Sequence, residues 1–311
     1  MEIQLDQPSR PISLDDTLSC GQVFRWVRQG GWWLGMVDGV PTRMRQKGEL
    51  LEVESASLLA ESSVARFLRL DDDLDSILRE LSRDDLVRKV FADVRGVRIV
   101  RQDPWECLVS YILSRNCSIP VIERMLNNMC CRFGDRIEWG GHVYYRFPEP
   151  ESILGVKPIE LVRCSLRYGR RQAFELKKIA RLVSDGIIDF DALGRMSYED
   201  ARSTLISFDH GIGRKVSDCI LLFSLEKLEA FPVDVWVSRA VAQLYHTRLK
   251  PELVRRIRCR SRLTAKDYDS ISAFGRQLFG RYAGYAQMYL YHWIRLRAGV
   301  NLHQTRRQSS G

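Results

Sequence analysis

The sequence predicts an α+β protein: an N-terminal antiparallel β-sheet domain followed by an all-α domain. Three observations carry this prediction. From Gln22 to Met36 aromatic, charged and small residues alternate, and Gly30-Gly31 and Val37-Asp38-Gly39 mark turns between strands. From Asp103 onward apolar residues recur at helical spacing. The chain has 311 residues, enough for one large domain or two ordinary ones. On this reading residues 1–98 form the antiparallel domain with flanking helices, 99–301 the helical domain, and 302–311 a loose polar tail.

Within the first domain, Leu50 to Glu54 is a further short strand and residues 74–91 read as a helix. The acidic run Asp71-Asp72-Asp73-Leu74-Asp75 lacks the glycine and closing glutamate of a calcium loop, so a solvated helix start is expected. Helices are then expected over Cys107 to Ile112, Ile119 to Phe133, Glu175 to Leu182, Tyr198 to Ile206, Lys215 to Leu225, Val235 to Tyr245 and Tyr268 to Leu278. Gly211-Ile212-Gly213 joins two of them as a hairpin.

Composition narrows the class of partner. Hydrophobic residues make up 45% and charged residues 28%, ordinary for a soluble globular chain. The formal charge of +9 suggests a polyanionic partner, although a merely soluble basic protein has the same balance. Basic side chains gather at Arg167, Arg170, Arg171, Lys177, Lys178 and Arg181, and again at Lys250, Arg255, Arg256, Arg258, Arg260 and Arg262. Each run reads as a backbone-contacting surface or as a solvated helix face. No Cys-x-x-Cys pair occurs among the eight cysteines, which argues against zinc. No signal-peptide pattern or long apolar run occurs, so reduced intracellular thiols and no membrane partner are expected.

The chemistry gathers around Lys215 and Asp234. Lys215 follows Gly211-Ile212-Gly213-Arg214 at a helix start, where free backbone N–H groups suit an anion such as a phosphate. A half-buried lysine there can act as a nucleophilic amine. Asp234, in Phe231-Pro232-Val233-Asp234-Val235, can position that amine or stabilise a cation. The plainer readings are a solvated lysine and an N-capping aspartate.

The segments Gly211–Cys219 and Phe231–Val235 together resemble the helix-hairpin-helix, Gly/Pro-rich-loop-aspartate (HhH-GPD) superfamily of DNA glycosylases. The Lys215-Val216-Ser217-Asp218-Cys219 form is most similar to 8-oxoguanine DNA glycosylase/AP lyases. The resemblance extends to Ser19-Cys20-Gly21-Gln22-Val23-Phe24-Arg25-Trp26, to Gln102–Leu108 running on to Ser114-Arg115-Asn116, and to Tyr282–Gln287, and so spans about residues 19–291. It implies a TBP-like N-terminal sheet and a helical catalytic domain. It implies a base-excision-repair enzyme that flips 8-oxoguanine from duplex DNA, excises it through a Lys215 Schiff base, and nicks the strand by β-elimination.

The resemblance also implies roles for single residues. Asp234 would stabilise positive charge at the sugar. The Gly21 carbonyl would accept the N7 hydrogen of 8-oxoguanine, Gln287 would meet the Watson–Crick edge, and Cys219 and Tyr291 would stack on the two faces. Bland alternatives are a chain turn, a surface amide and simple core packing. Asn116 and Arg170 would contact the orphaned cytosine, and Gly211, Gly213 and Val216 the backbone. No cofactor is implied, although carbonyls near Ser207, Asp209 and Ile212 would suit a structural Na+ or K+. A cluster of four cysteines is absent, so no iron–sulfur site is expected. The partner would be double-stranded DNA containing 8-oxoguanine, the protein a monomer, and its location intracellular and DNA-associated, in the cytoplasm or nucleoid of a prokaryote or the nucleus of a eukaryote.

The chain departs from the family pattern in four ways: Asp209-His210 in place of Leu-Pro, Val121 in place of a cytosine-reading arginine, Trp236 in place of histidine, and Gly169 in place of an aromatic wedge. Two other functions stay open on sequence alone: a glycosylase for another damaged base, and a non-catalytic DNA-binding protein. Gly21, Cys219 and Gln287 weigh against the first, and the Lys215–Asp234 pair against the second.

Overall fold

The computed structural model describes residues 1–5, 11–259 and 263–299. The 302–311 tail, Arg260 and Arg262 lie outside the described residues. The α+β architecture is as expected. A five-stranded antiparallel sheet has the order β1-β5-β4-β3-β2, with β1 Glu2–Gln4, β2 Val27–Gln29, β3 Trp32–Val37, β4 Val40–Lys47 and β5 Leu50–Ser55. Two-residue turns with positive φ at both positions close two of its hairpins, Gly30-Gly31 between β2 and β3 and Asp38-Gly39 between β3 and β4. Such turns match the right-handed twist of the strands they join. The register Trp33↔Met44↔Val53 puts three buried side chains on one face, against a core that includes Ile3, Leu14, Leu18 and Leu68.

Three details differ from the sequence reading. Residues 22–26 are not strand, because Gln22 is buried and bonds outside the sheet. Its amide donates to the carbonyls of Thr17 at 2.8 Å and Arg98 at 2.7 Å and accepts the Val100 N–H at 2.9 Å. The 74–91 helix is two helices, Leu74–Leu81 and Asp85–Asp93. Asp84 breaks it by capping the second, its carboxylate accepting the N–H groups of Leu86 and Val87 at 3.0 Å. The helical half also holds a small hairpin, β6 Arg136–Trp139 and β7 His142–Tyr145, turned at Gly140-Gly141.

The larger core belongs to the helices. Helix Arg214–Phe223 is buried along most of its length, and helix Ala283–Arg297 runs through the middle, packed against Val235–Leu244 and Asp85–Asp93. Cys20 and Phe24, from the loop after the first short helix, reach into this core and bring Gly21 to its edge. Pro104–Leu113 starts on Pro104 with an Asp103 cap, and its Tyr111 hydroxyl donates to the Gln22 carbonyl at 3.2 Å. The Gly21 loop is thereby pinned to the helical half of the molecule.

Candidate active site

A cavity of about 320 Å³ opens where the Gly21 loop meets helices Arg214–Phe223 and Ala283–Arg297. Lys215, Asp234, Gly21, Cys219, Gln287 and Tyr291 all line it, although they come from four separate stretches of chain. Lys215 is half-buried on its wall. Its Nζ donates to Ser114 Oγ at 3.0 Å and lies 5.4 Å from the centre of the Tyr111 ring. That hydrogen bond goes to Ser114 and not to Asp234.

Asp234 caps helix Val235–Leu244, accepting the N–H groups of Trp236 at 2.9 Å and Val237 at 2.7 Å. Burial pushes its carboxyl above the ordinary range, opposed by the Val237 and Trp236 N–H groups and by the charges of Lys215 and Arg295. The capping reading of Asp234 is therefore correct, and it coexists with a place on the cavity wall. Asp218 holds the preceding loop from behind. Fully buried, it accepts from the hydroxyls of Tyr198 at 2.7 Å and Tyr268 at 2.6 Å and from Arg202 Nε at 2.8 Å. The Tyr268 hydroxyl also accepts the Val233 N–H at 3.2 Å, next to Asp234.

The base-contact candidates divide by chemistry. Cys219 is 2% exposed, and burial pushes its thiol up to about 12, so it presents a neutral, polarizable surface. The Gln287 Oε1 is buried with no hydrogen-bond partner among the described residues. Gly21 has φ +90°, and an added Cβ would stand 2.6 Å from Ile119 Cδ1 and 3.2 Å from both Arg295 Nη1 and the Tyr291 hydroxyl. Only glycine allows that loop conformation with the cavity still open.

The remaining candidates lie outside this cavity. Gly211, Gly213 and Val216 line a neighbouring cavity of about 380 Å³ with Arg115, Arg171 and Glu175. Helix Arg214–Phe223 starts at Gly213 with no side-chain cap, so no capping side chain occupies its first N–H groups. The Arg115 guanidinium, paired with Glu175, sits close under Gly211, 3.0 Å from where a Cβ would be. Asn116 is exposed with φ +54° and donates to the Tyr168 hydroxyl at 2.8 Å. Arg170 is exposed in the first turn of helix Gly169–Ser184. Lys177 leaves the basic face, because its ammonium is bound by the carbonyls of Leu154 and Val156.

The unusual hairpin has its own turn. Asp209 and His210 have φ +56° and +47°, and the Asp209 carbonyl accepts the Ile212 N–H at 2.8 Å. With Gly211 also at positive φ, both central residues of this turn are left-handed. Proline is fixed near φ −65°, so the usual Leu-Pro cannot adopt it. His210→Pro is accordingly expected to destabilise the protein by roughly 1–3 kcal/mol and weaken duplex binding, with His210→Asn near neutral. Thermal melts and titration with DNA check this; a stabilised His210→Pro would contradict it.

Tyr111, Ser114, Phe223 and Arg295 are among the lining residues that received no individual role from sequence. Arg295 is 4% exposed and donates to the Tyr291 hydroxyl at 3.0 Å and the Cys20 carbonyl at 3.1 Å. Its one sequence signal is a spacing of four from Tyr291 on a helix, which every amphipathic helix shares. No group of three or more His, Cys, Asp or Glu side chains among the described residues could hold a metal, and all eight cysteines are free.

A sheet domain joined to a helical domain, with a lysine at a glycine hairpin and a half-buried aspartate on one cavity, defines a DNA glycosylase of the helix-hairpin-helix class. Family models agree: residues 4–108 match the 8-oxoguanine DNA glycosylase N-terminal domain, and residues 109–260 match the HhH-GPD superfamily of base excision DNA repair proteins. The chain is 28% identical to an N-glycosylase/DNA lyase of Saccharomyces cerevisiae over 90% of its own length and 82% of the relative's. Among solved structures it is similar to a Clostridium acetobutylicum 8-oxoguanine glycosylase/lyase bound to double-stranded DNA with cytosine opposite 8-oxoguanine. There the TM-score is 0.81 and the identity 32%, covering 92% and 93% of the two chains. MBOgg1 in complex with a low-affinity DNA ligand gives a TM-score of 0.83 at 28% identity, covering 96% of each chain. This chain belongs to the 8-oxoguanine DNA glycosylase/AP lyase family of the HhH-GPD superfamily, enzymes of base excision repair.

Proposed function

We propose that this enzyme extrudes 8-oxoguanine from duplex DNA into the 320 Å³ cavity and excises it with the Lys215 amine. The observation that carries the reading is the meeting of Lys215, Asp234, Gly21, Cys219 and Gln287 on that one cavity. The neutral amine attacks C1′, and the C1′–N9 bond breaks with its electron pair leaving on the base, which takes up a proton. Ring opening at O4′ and loss of the second amine proton give the Schiff base. Removal of a C2′ proton then expels the 3′ phosphate and cuts the strand. A carboxylate or hydroxyl could not form that imine. Asp234 stabilises the cationic sugar as the base departs.

The surroundings fit DNA. The uncapped helix start at Gly213 takes a phosphate, and the hairpin carbonyls of Ser207, Asp209 and Ile212 offer the hard oxygen ligands that Na+ or K+ prefers. The Asp209 carbonyl keeps one lone pair free after accepting Ile212. Asn116 and Arg170 face the orphaned cytosine. Tyr168, an exposed ring held by Asn116, serves as the wedge that Gly169 cannot supply. The enzyme acts as a monomer on DNA within the cell.

A panel of duplexes carrying single damaged bases tests the substrate. 8-Oxoguanine opposite cytosine should be released fastest, and preferential release of an alkylated base would overturn the reading. With Tyr168→Ala, excision from that duplex should fall about tenfold or more, while a lesion in an unpaired bulge, already unstacked, should lose much less. Equal losses on both substrates would remove the wedge role.

A further inference from the structure

The base cavity holds a polar pair that excision as described above leaves unused. Tyr291 and Arg295 lie one turn apart on helix Ala283–Arg297. Arg295 Nη1 donates to the Tyr291 hydroxyl oxygen at 3.0 Å. The hydroxyl is therefore an acceptor toward Arg295, and its own proton has no acceptor among the described residues. Burial holds the phenol well above its ordinary value, so it remains a neutral O–H donor. Its place is specific: a Cβ built on Gly21 would stand 3.2 Å from the Tyr291 oxygen. A phenylalanine would supply the same ring without this donor.

On the substrate reading above, we infer that the Tyr291 hydroxyl donates a hydrogen bond to the C8 carbonyl oxygen of 8-oxoguanine beside the Gly21 carbonyl that accepts N7–H. In the oxidised base these two groups are neighbours on the five-membered ring, an acceptor next to a donor. The Tyr291 hydroxyl lies beside Gly21 on one cavity wall, so that with the Gly21 carbonyl it would present the complement, a donor next to an acceptor. Guanine carries C8–H and an N7 lone pair there, so it would leave both protein groups unpaired. A site built to hydrogen-bond a group rejects the analogue that lacks it far more strongly than an apolar pocket can. Arg295 has only donors, so it occupies the hydroxyl lone pair and leaves the proton for the base. Tyr291 is in this sense a specificity-determining residue, and Arg295 a positioning residue that acts through it.

The test is single-turnover excision of 8-oxoguanine and 8-thioguanine opposite cytosine by wild type, Tyr291→Phe and Arg295→Met. The thiocarbonyl keeps N7–H and replaces oxygen by a weak acceptor. Wild type should prefer the oxo base. Tyr291→Phe should slow it about tenfold while changing the thio base little, so that the ratio collapses. Arg295→Met, with folding checked by a thermal melt, should shrink the ratio in the same direction. An unchanged ratio in Tyr291→Phe, whatever the absolute rates, would overturn the inference and leave the hydroxyl as a brace for Arg295. Wild type that releases neither base would instead overturn the substrate reading on which the inference rests.

Discussion

Lys215→Gln is expected to lower release of 8-oxoguanine by about a thousandfold or more and to abolish strand cleavage. An amide nitrogen has its lone pair delocalised and cannot form an imine, so both activities should fail together. The substitution is otherwise mild. Lys215 is half-buried in the first turn of helix Arg214–Phe223, its one hydrogen bond goes to Ser114, and glutamine can keep a polar contact there. Melting temperature should therefore hold while catalysis disappears. Retained base release with lost cleavage would mean that water displaces the base and Lys215 acts only afterwards.

Asp234→Asn is expected to slow excision by about 10²–10³-fold without lowering stability. Asparagine caps helices as well as aspartate does, so the bonds to Trp236 and Val237 survive and only the charge is lost. The direction of the carboxyl shift fixes the stability sign. Burial raises the folded pKa above the unfolded one, so the unfolded state gives up its proton first as pH rises. The folded protein therefore loses stability between those two values and stays lower above them. Above that window Asp234→Asn should melt at the same temperature or higher. The raised pKa also moves the acid limb of the pH–rate profile upward, and the variant should lack that limb. A variant that loses stability and activity in proportion would reduce Asp234 to a helix cap.

The sequence made the chemistry legible wherever it was written in backbone punctuation. Glycine, proline and aspartate mark the hairpin and the loop before Asp234; Gly21, Cys219, Gln287 and Tyr291 are named through the family resemblance, and in the structure they line one cavity with Lys215 and Asp234. What sequence left hidden depends on long-range packing. Arg295 received no role from sequence, and only the fold buries it against Tyr291 and Cys20. Ser114 as the partner of Lys215 joins residues far apart in the chain. The tie from Asp218 through Tyr268 to Val233 is equally remote. Some local signals were present but outweighed. Gly140-Gly141 marks the β6–β7 hairpin inside a segment otherwise dominated by helical periodicity, and Asp84 ends a pattern whose apolar spacing continues across it. The left-handed residues Asp209 and His210 carry no sequence signal of their own, only the Gly211 that follows them.

The central claim is that Lys215 forms a covalent imine with the sugar of the damaged nucleotide. Borohydride reduction during reaction with a duplex carrying one 8-oxoguanine opposite cytosine reads this directly, since only an imine becomes a stable protein–DNA bond. Wild type should give a cross-linked complex whose modified peptide contains Lys215, and Lys215→Gln should give none. Base release by wild type with no cross-link, or a cross-link that survives in Lys215→Gln, would contradict the account.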